Sequence, residues 1–385
     1  MSSGIDRRTL LARSLGAACC LAASPLVTPI VLAAAPGDAR LVVIVLRGAM
    51  DGIAAFPPLG DGKLAAMRPK LDAKGVVELD DRFGMHPALQ PLLPLWQAGE
   101  LAVAQAVATP YRGKRSHFDG QDLLEAGGNS PGDRRDGWLN RALRLIPDAR
   151  PETALSVGRE SMLVLRGEAP TRAWAPGDRL QLRNDERGLL TRLYADDPLF
   201  LSAMQAAEGL AALQGPEQPA ADGDDPIARF AGERLAAEAR IAAFSIGGWD
   251  THVGQANAIV APLERLAQAV VTLRAATGPA WGTTLVIAMT EFGRTARENG
   301  SGGTDHGTGG AALLAGGALM GGRVYGDWPG LGEGALFQDR DLMPTLDVRG
   351  FPARALASLY GLDPARIERD IFPGLDMGPT PVFLA

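Results

Sequence analysis

The chain has few residues of the types that carry metal and redox chemistry. It has 385 residues but only two cysteines and four histidines. Both cysteines, Cys19 and Cys20, fall within an apolar segment near the N-terminus. If that segment is removed, disulfides, thiolate metal sites and cysteine nucleophiles are excluded. The net charge is −6 and no block of basic residues occurs, so we expect no binding to nucleic acid.

The N-terminal segment has the pattern of an export signal. Arg7 and Arg8 precede an apolar stretch that ends in Leu32-Ala33-Ala34-Ala35, as in a secretory signal with a small-residue cleavage site. Paired arginines followed by two leucines resemble a twin-arginine signal. We therefore predict a signal peptide over residues 1–35, contact with the twin-arginine export machinery, and a folded product in the periplasm or outside the cell. An uncleaved anchor is the alternative, but Pro25 and Pro29 interrupt a stretch that is short for a membrane span.

Apolar runs alternating with amphipathic segments predict the fold of residues 36–385. Strands are predicted at 41–46, 101–107, 155–157, 162–165, 241–246, 285–289 and 311–315, and helices at 87–97, 138–146, 227–239, 256–275 and within 342–359. This alternation is typical of one α/β domain with a parallel sheet and helices on both faces. The stretch from about 166 to 225 is dense in Arg, Asp and Pro. We interpret it as a small cap or insertion, with a helix at 185–214, rather than as a separate domain.

Acidic and imidazole side chains lie next to the ends of the predicted strands. Ligands of open α/β sheets bind at the carboxyl ends of the strands, and Asp, Glu and His are the usual ligands of zinc and related divalent ions. The candidate metal ligands at these ends are Asp51, Asp250, His252, Glu291, Asp305 and His306. For each of them the alternative is a helix cap or a hydrogen-bonding role in the core. For His86, which precedes a proline and a helix, that structural role is favoured.

The loop after the second predicted strand carries the candidate catalytic residues in the string RGKRSHFDG. Ser116 is the best candidate nucleophile in the chain, and Thr304 is a weaker one. Arg115 and the neighbouring lysine have the charge needed to hold the oxygens of an anion. His117 is the third candidate, and a structural role for it is about equally favoured.

Six short motifs occur in order along the chain: LRGAMDG, RSHFDG, GGWDTH, TEFGRT, GTDHG and VYGDWPGL. Together they resemble the domain of unknown function 1501 family of exported bacterial proteins, from about Leu41 to Gly374. That family is similar to the alkaline phosphatase and sulfatase superfamily, whose members hydrolyse phosphate or sulfate esters at a metal site on a parallel sheet, often with two ions. The resemblance implies an alkaline-phosphatase-like fold and a metal-dependent hydrolase of small-molecule or polymeric anionic esters.

The superfamily pattern also implies a division of the candidate ligands between two ions. One ion, for which zinc is the first choice, would be held by Asp250, His252 and His306. A second would be held by Asp51 and Glu291, but a phenylalanine follows the glutamate where the superfamily has an imidazole. Zinc, magnesium, manganese and calcium are all candidates at that second position, as is no ion. Two other classes stay open: a non-catalytic metal-binding or partner-binding protein of the cell envelope with a degenerate site, and a redox enzyme.

Overall fold

The computed structural model describes residues 38–71, 75–158, 162–175 and 225–384. These residues all belong to one compact unit, Asp38–Ala385. The predicted export signal and most of the predicted cap, including its helix at 185–214, lie outside the described residues, so they stay predictions. Within the described ranges, no helix has both the length and the hydropathy needed to cross a membrane.

In this part of the chain nine strands form the main sheet. They are β1 (Arg40–Arg47), β2 (Leu101–Ala108), β3 (Ala154–Val157), β4 (Arg172–Trp174), β5 (Ile241–Gly247), β6 (Thr284–Thr290), β7 (Gly310–Ala315), β8 (Arg323–Tyr325) and β9 (Leu346–Asp347). Their order is β8-β2-β7-β6-β1-β5-β3-β4, and β9 also pairs with β2. Two smaller ladders join Val77–Glu78 to Gly84–Met85 and Leu336–Phe337 to Asp341–Leu342. The α/β class is confirmed.

The sequence predicted a parallel sheet, and the observed sheet is parallel except at one strand. β7 runs antiparallel to both of its neighbours, β6 and β2, while every other pair in the main sheet is parallel. The N-terminal end of β7 therefore lies at the same edge of the sheet as the carboxyl ends of β1, β2, β5 and β6. The loop that enters β7 meets the loops that leave those four strands.

Helices cover both faces of the sheet. They are α1 (Gly52–Ala55), α2 (Leu64–Met67), α3 (Leu93–Gln97), α4 (His117–Ala126), α5 (Trp138–Leu143), α6 (Pro226–Ala236), α7 (Gln255–Ala258), α8 (Val260–Thr277), α9 (Gly350–Tyr360) and α10 (Pro364–Arg366). Tighter 3₁₀ turns lie at Pro87–Leu92, Pro151–Thr153, Leu163–Leu165 and Gly278–Thr283, and a π-helical turn at Ile367–Ile371.

The central strand β1 shows why the core lies in two layers. Leu41, Val43 and Val45 pack with α5 and α9 on one face, whereas Val42 and Ile44 pack with α6 and α8 on the other. All of these side chains are buried because helices cover both faces, which is also why the strand reads as one unbroken apolar run.

Three of the sequence predictions need correction at the level of local structure. The predicted strand at 162–165 is wrong, since Leu163–Leu165 is a 3₁₀ turn. The predicted helix at 87–97 begins as the 3₁₀ turn Pro87–Leu92 and becomes α-helical only at α3. The predicted helix at 256–275 is divided into α7 and α8. Proline accounts for this break, because Pro262 has no N–H to donate to the carbonyl of Ala258.

Candidate metal centre

The loops at the carboxyl edge of the sheet bring one carboxylate and three imidazoles to a single point. Asp250 follows β5, and its Oδ1 lies 3.0 Å from Nε2 of His252, 3.1 Å from Nε2 of His306 and 3.4 Å from Nε2 of His117. The Nε2 atoms of His252 and His306 are 2.9 Å apart. The ligand atoms of His117, Asp250 and His306 all lie within 4.8 Å of one another, a group able to hold a metal ion. His117, considered above as a catalytic residue, thus joins the candidate ligands.

The opposite nitrogen of each ring faces a hydrogen-bond acceptor. The acceptors are Glu291 Oε1, Asp305 Oδ1 and the main-chain oxygen of Arg115, at 2.7, 3.2 and 2.9 Å from the Nδ1 atoms of His117, His252 and His306 respectively. A neutral ring facing an acceptor carries its proton on Nδ1 and leaves a lone pair on Nε2. This is how proteins orient metal-binding histidines, with a carboxylate or carbonyl behind each ring.

The convergence point therefore has more acceptors than donors. Three Nε2 lone pairs and one carboxylate oxygen meet there, and the guanidinium of Arg294 supplies a donor, with Nη2 2.6 Å from Asp250 Oδ1. Nε2 of His117 is buried and has no hydrogen-bond partner in the part of the chain that the structure describes. Such a set of lone pairs suits a cation, and the donor chemistry fits a divalent metal ion.

Arg294 connects the loops that form this point. Its side chain is buried and donates to the carbonyls of Gly48, Ala49, Trp249 and Thr304, at 2.8 to 3.1 Å. Burial raises the pKa of Asp250, but hydrogen bonds from Arg294 and His306 outweigh it and lower that pKa to about 2. Asp250 is therefore ionised at neutral pH, which is the form that binds a metal.

Two glycines allow the loops to approach so closely. Gly48 has a left-handed φ of +117°, and its N–H donates to Glu291 at 2.9 Å. A Cβ at Gly303 would lie 2.4 Å from the main-chain carbon of His252. Larger residues at these positions would push the strand-end loops apart.

Glu291 supports His117 from behind. Its side chain is fully buried, and Oε1 accepts from Nδ1 of His117, from the N–H of Gly48 and from Nε2 of Gln121, while Oε2 accepts from Thr290 at 3.0 Å. Burial raises the pKa of Glu291, but these hydrogen bonds lower it further than burial raises it. In return, the hydrogen bond to Glu291 raises the pKa of His117 above its ordinary value.

Asp51 lies at the N-terminus of α1 and is also surrounded by donors. Oδ1 accepts from the N–H groups of Ile53 and Ala54, both at 3.1 Å. Oδ2 accepts from Nη1 of Arg68 at 2.7 Å and from Nε2 of Gln255 at 2.6 Å. Neither partner was identified in the sequence, because no motif or periodicity links Arg68 or Gln255 to Asp51.

The candidate catalytic residues lie on the loop that enters α4. Ser116 caps the helix, with Oγ 3.4 Å from the N–H of Asp119, and His117 is the first residue of the helix. The carbonyl of Arg115 accepts from His306, and its guanidinium lies 3.8 Å from Asp341. Ser116 is therefore the chain neighbour of a candidate metal ligand, and its catalytic role stays a prediction.

Residues 78–372 match the family model described as a protein of unknown function, DUF1501. The chain belongs to the DUF1501 family. The resemblance inferred from the six motifs is thus confirmed, although the matched region begins after the first of them.

Among curated proteins, none matches this DUF1501 member. Two solved structures are distantly similar to it: Ps i-CgsB in complex with k-i-k-neocarrahexaose, and Ps i-CgsB. Both are 12% identical, and each comparison covers 89% of this chain and 75% of the other. The TM-scores are 0.37 and 0.35 respectively.

Proposed function

We propose that this DUF1501 protein is an exported metal-dependent hydrolase of phosphate or sulfate esters. The observation that carries the proposal is the convergence of three Nε2 atoms on one oxygen of Asp250, each ring having its Nδ1 paired with an acceptor. Imidazole nitrogens with one carboxylate are a ligand set that suits zinc. A bound divalent cation would polarise an oxygen of the ester and offset the charge that develops on the transferring group.

The loop that enters α4 supports an anionic substrate. Arg112 and Lys114 are exposed and Arg115 is half-buried, so three cationic side chains precede the candidate ligand His117. The ten-residue helix α4 starts at the same place, and the positive end of a helix dipole favours negative charge. These groups would hold the anionic part of the ester beside Ser116.

Ser116 would act as the nucleophile. Its hydroxyl oxygen would form a bond to the phosphorus or sulfur atom while the bond to the leaving oxygen breaks, and the hydroxyl proton would pass to that oxygen to give the alcohol. Water would then break the bond between the serine oxygen and phosphorus or sulfur, which releases the anion and restores the hydroxyl. Splitting the displacement in this way is the usual gain from a covalent intermediate. The proposed substrate is a small-molecule or polymeric anionic ester.

The test is metal content followed by turnover of an aryl phosphate and an aryl sulfate. Ser116→Ala should lose most turnover and keep its metal, whereas His306→Ala should lose both together. Ser130→Ala is a matched control, since Ser130 is an exposed serine after α4. An unchanged rate in Ser116→Ala would limit Ser116 to capping α4.

A second candidate function is a non-catalytic metal-binding or partner-binding protein of the cell envelope. It is favoured by the pairing of Asp51 with Arg68, because that aspartate is a metal ligand in the superfamily that the motifs resemble. Wild-type protein that binds metal but turns over neither ester would support this candidate against the hydrolase.

A further inference from the structure

We propose that Arg68 supplies the positive charge at the position where a second metal ion would contact Asp51, so that the site holds one ion per chain. The inference rests on the proposed function, since it concerns the number of ions at the same site. Two buried acids, Asp51 and Glu291, are the residues that the motif resemblance assigns to a second ion. The contacts of both acids argue against that assignment.

Hydrogen-bond donors occupy the oxygen lone pairs of the Asp51 carboxylate. It is 1% exposed, and four donors occupy its two oxygens: two main-chain N–H groups at Oδ1, and Arg68 and Gln255 at Oδ2. The hydroxyl of Thr304 lies 3.4 Å from Oδ2 but donates to Gln255 Oε1 at 2.6 Å. A carboxylate has about four lone-pair sites. A metal ion would have to displace one of these donors, and the guanidinium is the one that carries the same sign of charge as the ion.

Arg68 is fixed in place and cannot easily yield. It is 4% exposed, its Nε donates to the carbonyl of Ala296 at 2.9 Å, and its Nη2 donates to the carbonyl of Thr295 at 2.8 Å. Moving it away would leave two carbonyls unpaired and a guanidinium without its counter-ion in the interior, which is strongly unfavourable. Placing a divalent ion beside it would set two cations against each other where water screens little.

Thr295 and Ala296 directly follow Arg294, which pairs with Asp250. One segment of the loop between β6 and β7 therefore determines how both aspartates are neutralised. Asp250 receives an arginine and is also open to three imidazoles, whereas Asp51 receives an arginine and hydrogen-bond donors alone.

Glu291 is engaged chiefly at Oε1, which accepts from three donors. Its Oε2 faces the hydroxyl of Thr290 at 3.0 Å, and the single proton of that hydroxyl is shared with the carbonyl of Leu46 at 2.9 Å. The donors to Glu291 include Gln121, whose Oε1 accepts from Nη1 of Arg47 at 2.9 Å, and Nη2 of Arg47 pairs with Glu125 at 2.8 Å. No hydrogen-bond donor among the described residues is shared between Asp51 and Glu291. Asp51 and Glu291 thus bind separate sets of hydrogen-bond donors. Because the lone pairs of Asp51 are occupied, a second ion does not fit the residues present.

The first experiment counts ions. Metal-free wild-type protein is titrated with Zn²⁺ and, separately, with Mn²⁺, and bound metal is measured by elemental analysis after removal of free ion. We expect one ion per chain for the wild type, one ion with unchanged affinity for Asp51→Asn, and none for Asp250→Asn. Two ions in the wild type, reduced to one in Asp51→Asn, would overturn the inference.

The second experiment tests the ion pair without any metal. Asp51→Asn and Arg68→Met should each lower the urea midpoint of metal-free protein. The midpoint of the double variant should be no lower than that of the less stable single variant. Additive shifts would contradict the pairing. If the wild type binds no ion at all, the proposed function fails, while this comparison still decides whether Arg68 neutralises Asp51. The ion count on the wild type stands even if a variant does not fold.

Discussion

Each imidazole of the centre is oriented by a partner behind the ring, and these partners differ in burial. Glu291 is fully buried behind His117, whereas Asp305 behind His252 has a side chain that is 51% exposed. A buried carboxylate holds a ring more firmly than a solvated one, because water screens and replaces less of the interaction. The two carboxylates should therefore affect metal binding to different degrees.

We expect Glu291→Gln to weaken metal binding by about 10- to 100-fold, the usual effect of losing a partner behind a ligand histidine. The substitution removes the charge that orients His117 and raises its pKa, but keeps the shape of the side chain. Competition with a chelating dye measures the affinity. Asp305→Asn is the comparison and should show a smaller loss; equal losses, or none in Glu291→Gln, would contradict the assigned role.

At the residue scale the sequence predicted that certain side chains would lie close together, whereas their functional roles stay predictions. Asp250, His252 and His306 lie next to strand ends, and strand ends of one sheet meet at one edge, so their convergence was expected. Whether an acid faces an ion, a ring or an arginine depends on side-chain direction and on partners distant in the chain. Arg68 is such a partner for Asp51, and nothing local in the sequence links the two.

Among the elements, the glycine-rich loop before β7 sets the position of His252. A side chain at Gly303 would meet the backbone of His252, while a Cβ at Gly300 would have no atom within 4 Å. We expect Gly303→Ala to reduce metal affinity and Gly300→Ala to leave it unchanged, as measured by the same dye competition. Both are single Gly→Ala changes in one loop. Equal metal affinities of the two variants would show that Gly303 is not needed for the close approach of the loop to His252.

Asp51 caps the N-terminus of helix α1. Burial raises the pKa of this carboxyl, but Arg68 and the other donors lower it further, so that the pKa lies below its ordinary value. A carboxyl group whose pKa is lowered by folding stabilises the fold at pH values above its ordinary pKa of 3.8. This stabilisation is lost as the pH falls through the pKa of the folded state. We expect Asp51→Asn to cost about 3–5 kcal/mol near neutral pH, as for a broken buried ion pair. Urea denaturation at several pH values should show this cost shrinking below pH 3.8. A cost independent of pH would contradict the ion pair.

At the scale of the elements, the apolar pattern of the sequence predicts where strands lie but not the direction in which each strand runs. Six of the nine described strands of the main sheet were predicted, because continuous apolar runs are typical of strands buried on both faces. The three shortest strands, β4, β8 and β9, were not predicted, since two or three residues are too few to show a pattern. The direction of β7 was not predicted, since Gly310–Ala315 has the same apolar composition whichever way it runs.

For the molecule as a whole, a bound ion should act as a cross-link among three loops. An ion that binds the folded chain alone stabilises it by about 2.7 kcal/mol at a free concentration of 100 times Kd. Urea unfolding of wild-type protein with and without Zn²⁺ measures this difference. Asp250→Asn, which lacks the central carboxylate, should show no such gain; a gain of the same size would place the ion elsewhere.

Export of the molecule is a separate prediction that rests on Arg7 and Arg8. Changing both to lysine should leave full-length precursor in the cytoplasm, because paired arginines are the feature that the twin-arginine machinery reads. Fractionation followed by immunoblotting measures the precursor and the processed form. Normal processing of the Lys-Lys variant would contradict the export route.

The reversed direction of β7 also affects the order in which the centre forms during folding. β6 and β7 are consecutive in the chain, so their pairing needs little loop-closure entropy, whereas β1 and β6 join distant parts of the chain. The connection between β6 and β7 carries Glu291, Arg294, Asp305 and His306. We therefore expect this half of the centre to form early as a local hairpin. The ion-binding geometry would be complete only once β1, β2 and β5 have docked beside it.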